Sequence, residues 1–192
     1  MKLVLASSNK GKIQEFKEIL GEDYEILSLD DVGFTDDIVE NGKTFEENSF
    51  IKAKAVFDKT GLTSLADDSG LVVPSLNGEP GVLSARYAGD HDMEKNKKKL
   101  LKELEGKPRY AYFVCALTLL DESGKICVSG KTEGEILTEE SGNGGFGYDP
   151  LFYSYDLKKS FALCSESEKN SVSHRGRAVR ELLNVIKNKR KA

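Results

Sequence analysis

Asp67 and Asp68 stand side by side, directly after the apolar stretch Ser64-Leu65-Ala66. Adjacent carboxylates repel, so a cation belongs near them, and oxygen donors of this kind suit a hard divalent ion such as Mg2+. Strand ends in α/β chains are also where ligands gather. A plain Asp-Asp-Ser-Gly turn is the competing account. It fits poorly between runs as apolar as SLA and LVV.

Four other stretches carry candidate chemistry. Residues 6–12, ASSNKGK, lie between a strand pattern and a helix pattern. A helix start offers free N–H groups and a positive dipole end, and Lys10 and Lys12 add charge beside it. Ser7, Ser8 and Asn9 supply donors for phosphate oxygens, and the same residues would serve equally as an ordinary helix cap. The phosphate-loop pattern G-x-x-x-x-G-K-[ST] is absent from the chain. In TFEEN, Thr44 and Glu47 have capping-box spacing, which by itself gives Glu47 a structural role. Lys52 and Lys54 follow on the same helix, as phosphate contacts or as solvated surface. In EKNSVSHRGRAV, Lys169, His174, Arg175 and Arg177 cluster near a helix start. Arg is the preferred fork for planar acceptors and aromatic faces.

The fourth stretch, GNGGFGYDP, sets Gly142, Gly144, Gly145 and Gly147 among Phe146, Tyr148 and Asp149. Glycine has most conformational freedom to lose on folding. So many in one loop mean a flexible connector or a main chain that must pass close to a flat ligand.

These residues need elements to hold them. Residues 2–6 form a buried-strand pattern, and Ile13, Phe16, Ile19 and Leu20 recur at helical spacing until Gly21. Residues 25–29 are a second strand candidate, and 30–43 are acidic and irregular. A helix opened by Thr44 to Glu47, with Gly61 beyond its end, presents Phe50, Ala53 and Phe57 on one face. Residues 62–66 are a short strand running into DDSGL. Residues 74–89 form a long ordered loop, and Asp92 caps a Lys-rich helix whose face is solvated. Runs 111–120 and 125–131 flank DESG, a hairpin signal. Ala178, Val179, Leu182, Leu183 and Ile186 mark a C-terminal amphipathic helix. Interleaved helices and strands with a hairpin predict an α/β class with a mixed sheet.

Composition narrows the functional classes. With 192 residues the chain is long enough for one domain with a sizeable core. Hydrophobic residues at 39% and charged residues at 31% fit a soluble globular protein. The net charge of −4 disfavours general nucleic-acid binding. Cys115, Cys127 and Cys164 are odd in number and dispersed, which fits reduced thiols in a cytoplasmic protein. The first apolar run is too short for a signal peptide or membrane span.

Taken together, LASSNKGKIQEF, TFEENSFIKA, LADDSGLVV, GEPGVLSARYAG, GGFGYDPLF and SHRGRA resemble the inosine/xanthosine triphosphate pyrophosphatase family. They fall in the family's order between residues 3 and 178. The resemblance implies an elongated, twisted mixed sheet flanked by helices, with two lobes around a central nucleotide-binding cleft, and a homodimer. It implies hydrolysis of non-standard purine nucleoside triphosphates (ITP, dITP, XTP) to monophosphate and pyrophosphate with Mg2+.

Carried over position by position, Ser7, Ser8, Asn9, Lys10, Gly11 and Lys12 match the triphosphate-binding loop. Ser8-Asn9 departs from the Gly-Asn of many members. Glu47 matches a metal-linked glutamate, Asp68 the metal-bound general base, and Ser69 a substrate contact. Phe146, Gly147, Tyr148 and Asp149 match the base-binding segment. Lys169, His174 and Arg175 match the remaining substrate contacts, and Lys52 also matches. On this reading Phe146 stacks on a purine, the glycines admit the main chain close to it, and Asp149 accepts from a base N–H. Two rivals stay open: a Maf-like pyrophosphatase for modified nucleotides, which would lack SHR, and a non-catalytic nucleotide sensor, which would not need Asp68.

Overall fold

The continuous apolar run at the N terminus makes β1 (Lys2–Leu5) a strand that must be covered on both faces. The computed structural model, which describes residues 1–89 and 91–189, shows how this is met. Successive side chains of a strand point to opposite faces. Leu3 and Leu5 accordingly join Phe16 and Leu20 of α1 (Lys10–Leu20) and Ala178, Val179 and Leu182 of the last helix. Val4 and Ala6 join Phe34 and, from α2 (Phe45–Thr60), Ala53 and Val56.

β1 pairs in parallel with β2 (Glu25–Leu27) on one side and β3 (Ser64–Val72) on the other. α3 (Met93–Glu103) precedes the long strands β4 (Tyr110–Asp121) and β5 (Gly124–Ile136). These two are joined by residues 122–123 alone, a link that only an antiparallel hairpin allows. β6 (Phe152–Ser154) and β7 (Lys159–Ser160) extend the sheet in antiparallel fashion. The order β2-β1-β3-β4-β5-β6-β7 makes one mixed seven-stranded sheet. α4 (Glu166–Val172) and α5 (His174–Lys189) complete the chain.

The chain divides into two compact units. The first holds residues 1–68, 115–130 and 176–192; the second holds 69–114 and 131–175. In the second, Leu71, Val73, Leu100, Leu104, Phe113, Ile136, Phe152 and Phe161 belong to one buried cluster. Among the described residues no helix is long and apolar enough to cross a membrane.

Three local expectations are corrected. β3 does not stop at Ala66 but runs on to Val72, so Asp67, Asp68 and Ser69 lie within a strand rather than in a loop after it. α2 is rotated from its expected face: Asn48, Ser49, Lys52, Ala53 and Val56 are buried, while Phe50 and Phe57 are only half-buried. The polar residues turn inward because Ser49 bonds the Thr118 hydroxyl at 2.7 Å and Asn48 and Lys52 face Asp68. α4, unforeseen in the sequence, begins with a full capping box of Ser165 and Glu168.

Close backbone approach fixes one glycine of β5. Gly134 pairs with Ser154 of β6, and a Cβ there would fall on the Tyr153 carbonyl oxygen and 2.7 Å from the Phe152 ring. Overpacking at such a site costs about 1–3 kcal/mol. Gly134→Ala should therefore lower the thermal unfolding midpoint by several degrees. An unchanged midpoint in calorimetry would show that this pairing relaxes freely.

Candidate active site

In the first unit the site is built on the start of α1, the inner face of α2 and the middle of β3. Asn9 caps α1, its Oδ1 accepting the Lys12 N–H at 3.1 Å, and Ser7 Oγ accepts the Asn9 N–H at 3.2 Å. Ser8, Asn9 and Lys10 are exposed, Ser7, Gly11 and Lys12 half-buried, and the first turn carries no acidic residue. An uncrowded helix N terminus with two lysines is a favourable seat for phosphate oxygens. Lys12 also reaches Asp67, its Nζ lying 3.0 Å from Oδ2. Asp67 is buried and so serves as the counter-charge of Lys12.

Asp68 is 7% exposed and held from α2. Asn48 Nδ2 donates to its Oδ2 at 3.1 Å, and Lys52 Nζ lies 3.8 Å from its Oδ1. Burial pushes the Asp68 carboxyl up to about 6, against the pull of Lys52, Asn48 and Lys12, with Glu40 adding to the rise. A base with that affinity for protons is matched to neutral pH. Lys52 is buried, which opposes its charge, yet Asp67, Asp68 and Glu40 outweigh this and hold its ammonium above the usual range.

Glu47 lies in the first turn of α2. It is exposed, and its Oε2 receives the Lys43 N–H at 2.5 Å while its own N–H goes to Thr44 Oγ1. This carboxylate holds the residue before the Thr44 cap, and not the cap N–H that a full capping box would engage. Glu40 also joins this cluster, its Oε2 lying 2.8 Å from Lys52 Nζ. Glu40 and Asn48 are the two residues that sequence reasoning missed. Asn48 lay inside a segment already singled out. Glu40 sat in an irregular acidic stretch with no period to mark it.

The donor chemistry fits a hard divalent ion. Asp68 and Glu40 offer carboxylate oxygens around one ammonium, and no group of three His, Cys, Asp or Glu side chains forms a cage among the described residues. Mg2+ is commonly bound by one or two carboxylates, keeping water and phosphate in its other positions.

The second unit gathers Phe146, Asp149, Lys169, Arg175 and Ser69. Asp149 is buried, and its Oδ2 accepts the Phe146 N–H at 2.9 Å and Lys169 Nζ at 2.7 Å. Lys169 Nζ lies 4.6 Å from the centre of the Phe146 ring, and the Arg175 guanidinium 5.9 Å from it. Arg175 is 1% exposed, with Nη2 3.5 Å from Ser69 Oγ. The His174 ring stacks on Phe113 at 4.9 Å. Phe146 itself is 37% exposed, which leaves ring surface for a flat ligand.

The glycines of this loop have a different immediate cause from the one expected. Gly145, at φ 70°, lies so close to Asp149 that a Cβ would be 2.8 Å from the Asp149 Cβ. Cβ atoms at Gly142 and Gly144 would meet the backbone of Ala162 at 2.9 and 2.7 Å. The close approach is thus to the protein's own carboxylate and main chain. Gly147, at φ 64°, faces only Met93 at 3.8 Å. The Tyr148 side chain is buried in the core, its hydroxyl donating to the Ser84 carbonyl at 2.8 Å.

Comparison with known proteins places this arrangement. The model of the Ham1 family matches residues 3–185. This chain belongs to the Ham1 family. It is 47% identical to a dITP/XTP pyrophosphatase of Clostridium perfringens, with 97% of each chain covered. It is 48% identical to one of Lactiplantibacillus plantarum, over 94% of this chain and 92% of the relative. Among solved structures it is similar to the Staphylococcus aureus Ham1 protein, with a TM-score of 0.89 and 40% identity over 98% of this chain and all of the other.

Two expected outcomes follow from the geometry. The folded pKa of Asp68 is raised from 3.8, so its stabilising contribution is fully present below pH 3.8 and lost as pH rises through about 6. Between pH 3.8 and 7 the metal-free protein should lose up to about 3 kcal/mol through this group. Asp68→Asn should remove that loss in denaturant titrations at the two pH values, and equal pH slopes for both proteins would refute it. Phe146→Ala should raise KM by the equivalent of roughly 1–3 kcal/mol if the ring stacks on a base, with little change in melting temperature. A large drop in melting temperature at unchanged affinity would make Phe146 a core residue.

Proposed function

We propose that this Ham1-family chain hydrolyses non-standard purine nucleoside triphosphates, dITP, ITP and XTP, to the monophosphate and pyrophosphate, cleansing the nucleotide pool. The observation that carries the mechanism is Asp68: a buried carboxylate raised to about 6, held by Asn48 and faced by Lys52. The activity for which its relatives are named, dITP/XTP pyrophosphatase, supports the substrate class.

The first unit carries the groups suited to phosphate. N–H groups at the start of α1 hold phosphate oxygens, with the ammonium groups of Lys10, Lys12 and Lys52 balancing charge. Asp68 takes the proton of a water that attacks the α-phosphorus in line, and pyrophosphate departs. Asp68 and Glu47 would hold Mg2+, with Glu40 beside Lys52 near Asp68, and the ion would screen the phosphate charge.

The second unit carries the groups suited to a purine base. Hypoxanthine and xanthine carry an acceptor at position 6 and a donor at N1, whereas adenine reverses both. Arg175 and Lys169 are donors and Asp149 is an acceptor, so the cluster complements the first pattern. Against adenine it would set donor to donor and acceptor to acceptor, leaving buried polar groups unpaired. The exposed Phe146 ring stacks on the base.

With Mg2+ and dITP or XTP, monophosphate and pyrophosphate should appear in equal amounts. Asp68→Asn keeps the shape and removes the base, and should slow turnover by ~10²–10⁴-fold. Diphosphate with orthophosphate as main products, or near-normal turnover of the variant, would sink this mechanism.

A further inference from the structure

Asn48 is 2% exposed and bonded at both ends of its amide. Oδ1 accepts the Gly42 N–H at 2.8 Å, and Nδ2 donates to Asp68 Oδ2 at 3.1 Å. A backbone N–H can only donate, so the carbonyl end of the amide must face Gly42. The amino end is thereby fixed on Asp68. Gly42 is constrained in turn: a Cβ there would lie 2.7 Å from Asn48 Oδ1 and 2.7 Å from Glu47 Cβ. Main chain and amide are in direct contact, with no room for a methyl group between them. One turn further along α2, Lys52 faces the other oxygen of Asp68 at 3.8 Å, too far for a closed hydrogen bond.

We propose that Asn48, oriented by Gly42, is a positioning residue of the reaction: it occupies Oδ2 of Asp68 and so makes Oδ1 the oxygen that receives the proton of the attacking water. The proposal rests on Asp68 being the base. Asn48 itself exchanges no proton and acts through the orientation of the carboxylate. Without it, Asp68 can turn about its side-chain bonds, and neither oxygen is held for the water. The segment before α2 thus has a function besides starting the helix, because Gly42 is what keeps the amide from flipping.

The test is a cycle of Asn48→Ala, Asp68→Asn and the double variant, assayed with Mg2+ and dITP alongside thermal unfolding. Losing a partner that orients a reacting group typically costs 10–100-fold, so Asn48→Ala should lower kcat by roughly that factor while KM changes far less. In the Asp68→Asn background the same substitution should leave the residual rate unchanged, since two residues acting through one group are not additive. An equal fractional loss in both backgrounds would show a merely structural role and overturn the proposal, as would an unaltered kcat in Asn48→Ala. If Asn48→Ala fails to fold, Gly42→Ala takes its place, because the added methyl displaces the amide without touching Asp68. It should reproduce both the kcat loss and the silence on Asp68→Asn, and wild-type kcat in Gly42→Ala would overturn the proposal. Near-normal turnover of Asp68→Asn alone removes the base reading, a result distinct from an indifferent Asn48 beside a working base.

Discussion

Burying a carboxylate inside a sheet strand is the constraint around which the first unit is organised. A charge withdrawn from water costs several kcal/mol unless hydrogen bonds and counter-charges replace the solvent. Asp68 meets this condition only in part, through Asn48 on one oxygen and a more distant Lys52 on the other. The unmet remainder appears as its raised proton affinity. Asp67, one residue away on the opposite face of β3, is matched closely by Lys12. Adjacent acids on one strand therefore differ in character because successive residues meet different helices: α1 supplies a lysine to one, α2 an amide to the other.

The same constraint explains the odd face of α2. A helix chosen for apolar burial alone would turn Phe50 and Phe57 inward. This one turns Asn48, Ser49 and Lys52 toward the sheet and leaves both rings at the margin. Polar groups buried at i and i+4 are tolerated because each finds a partner, Asn48 on Asp68 and Gly42, Lys52 on Glu40 and Asp68. The rotation of this helix about its own axis follows electrostatics before apolar burial.

The second unit solves a related problem with a loop in place of a helix. Asp149 is buried beneath residues 145–146 and closed by Lys169, whose ammonium also lies over the Phe146 ring. One carboxylate thus ties down the backbone of Phe146 and the cation on its face. A ring that is over a third exposed is kept in a defined pose by groups that are themselves buried. Pre-organisation of this kind reduces the ordering cost of binding a flat ligand.

Local chemistry was readable from the chain. Asn9 and Asp92 as caps, Gly61 as a helix stop, the β4–β5 hairpin and the alternation in β1 all depend on residues within a few positions of one another. The two carboxylates, the lysines at the start of α1 and the glycine loop stood out by type and spacing. What the sequence could not convey was pairing across long separations. That Glu40 pairs with Lys52 beside Asp68, that Asn48 reads its orientation from Gly42, that the Tyr148 hydroxyl reaches the Ser84 carbonyl, and that Gly145 makes room for Asp149 are tertiary facts. Periodicity reports which face of an element is apolar, but a buried polar residue breaks the period and looks like surface. Only the folded chain shows which partner made its burial tolerable.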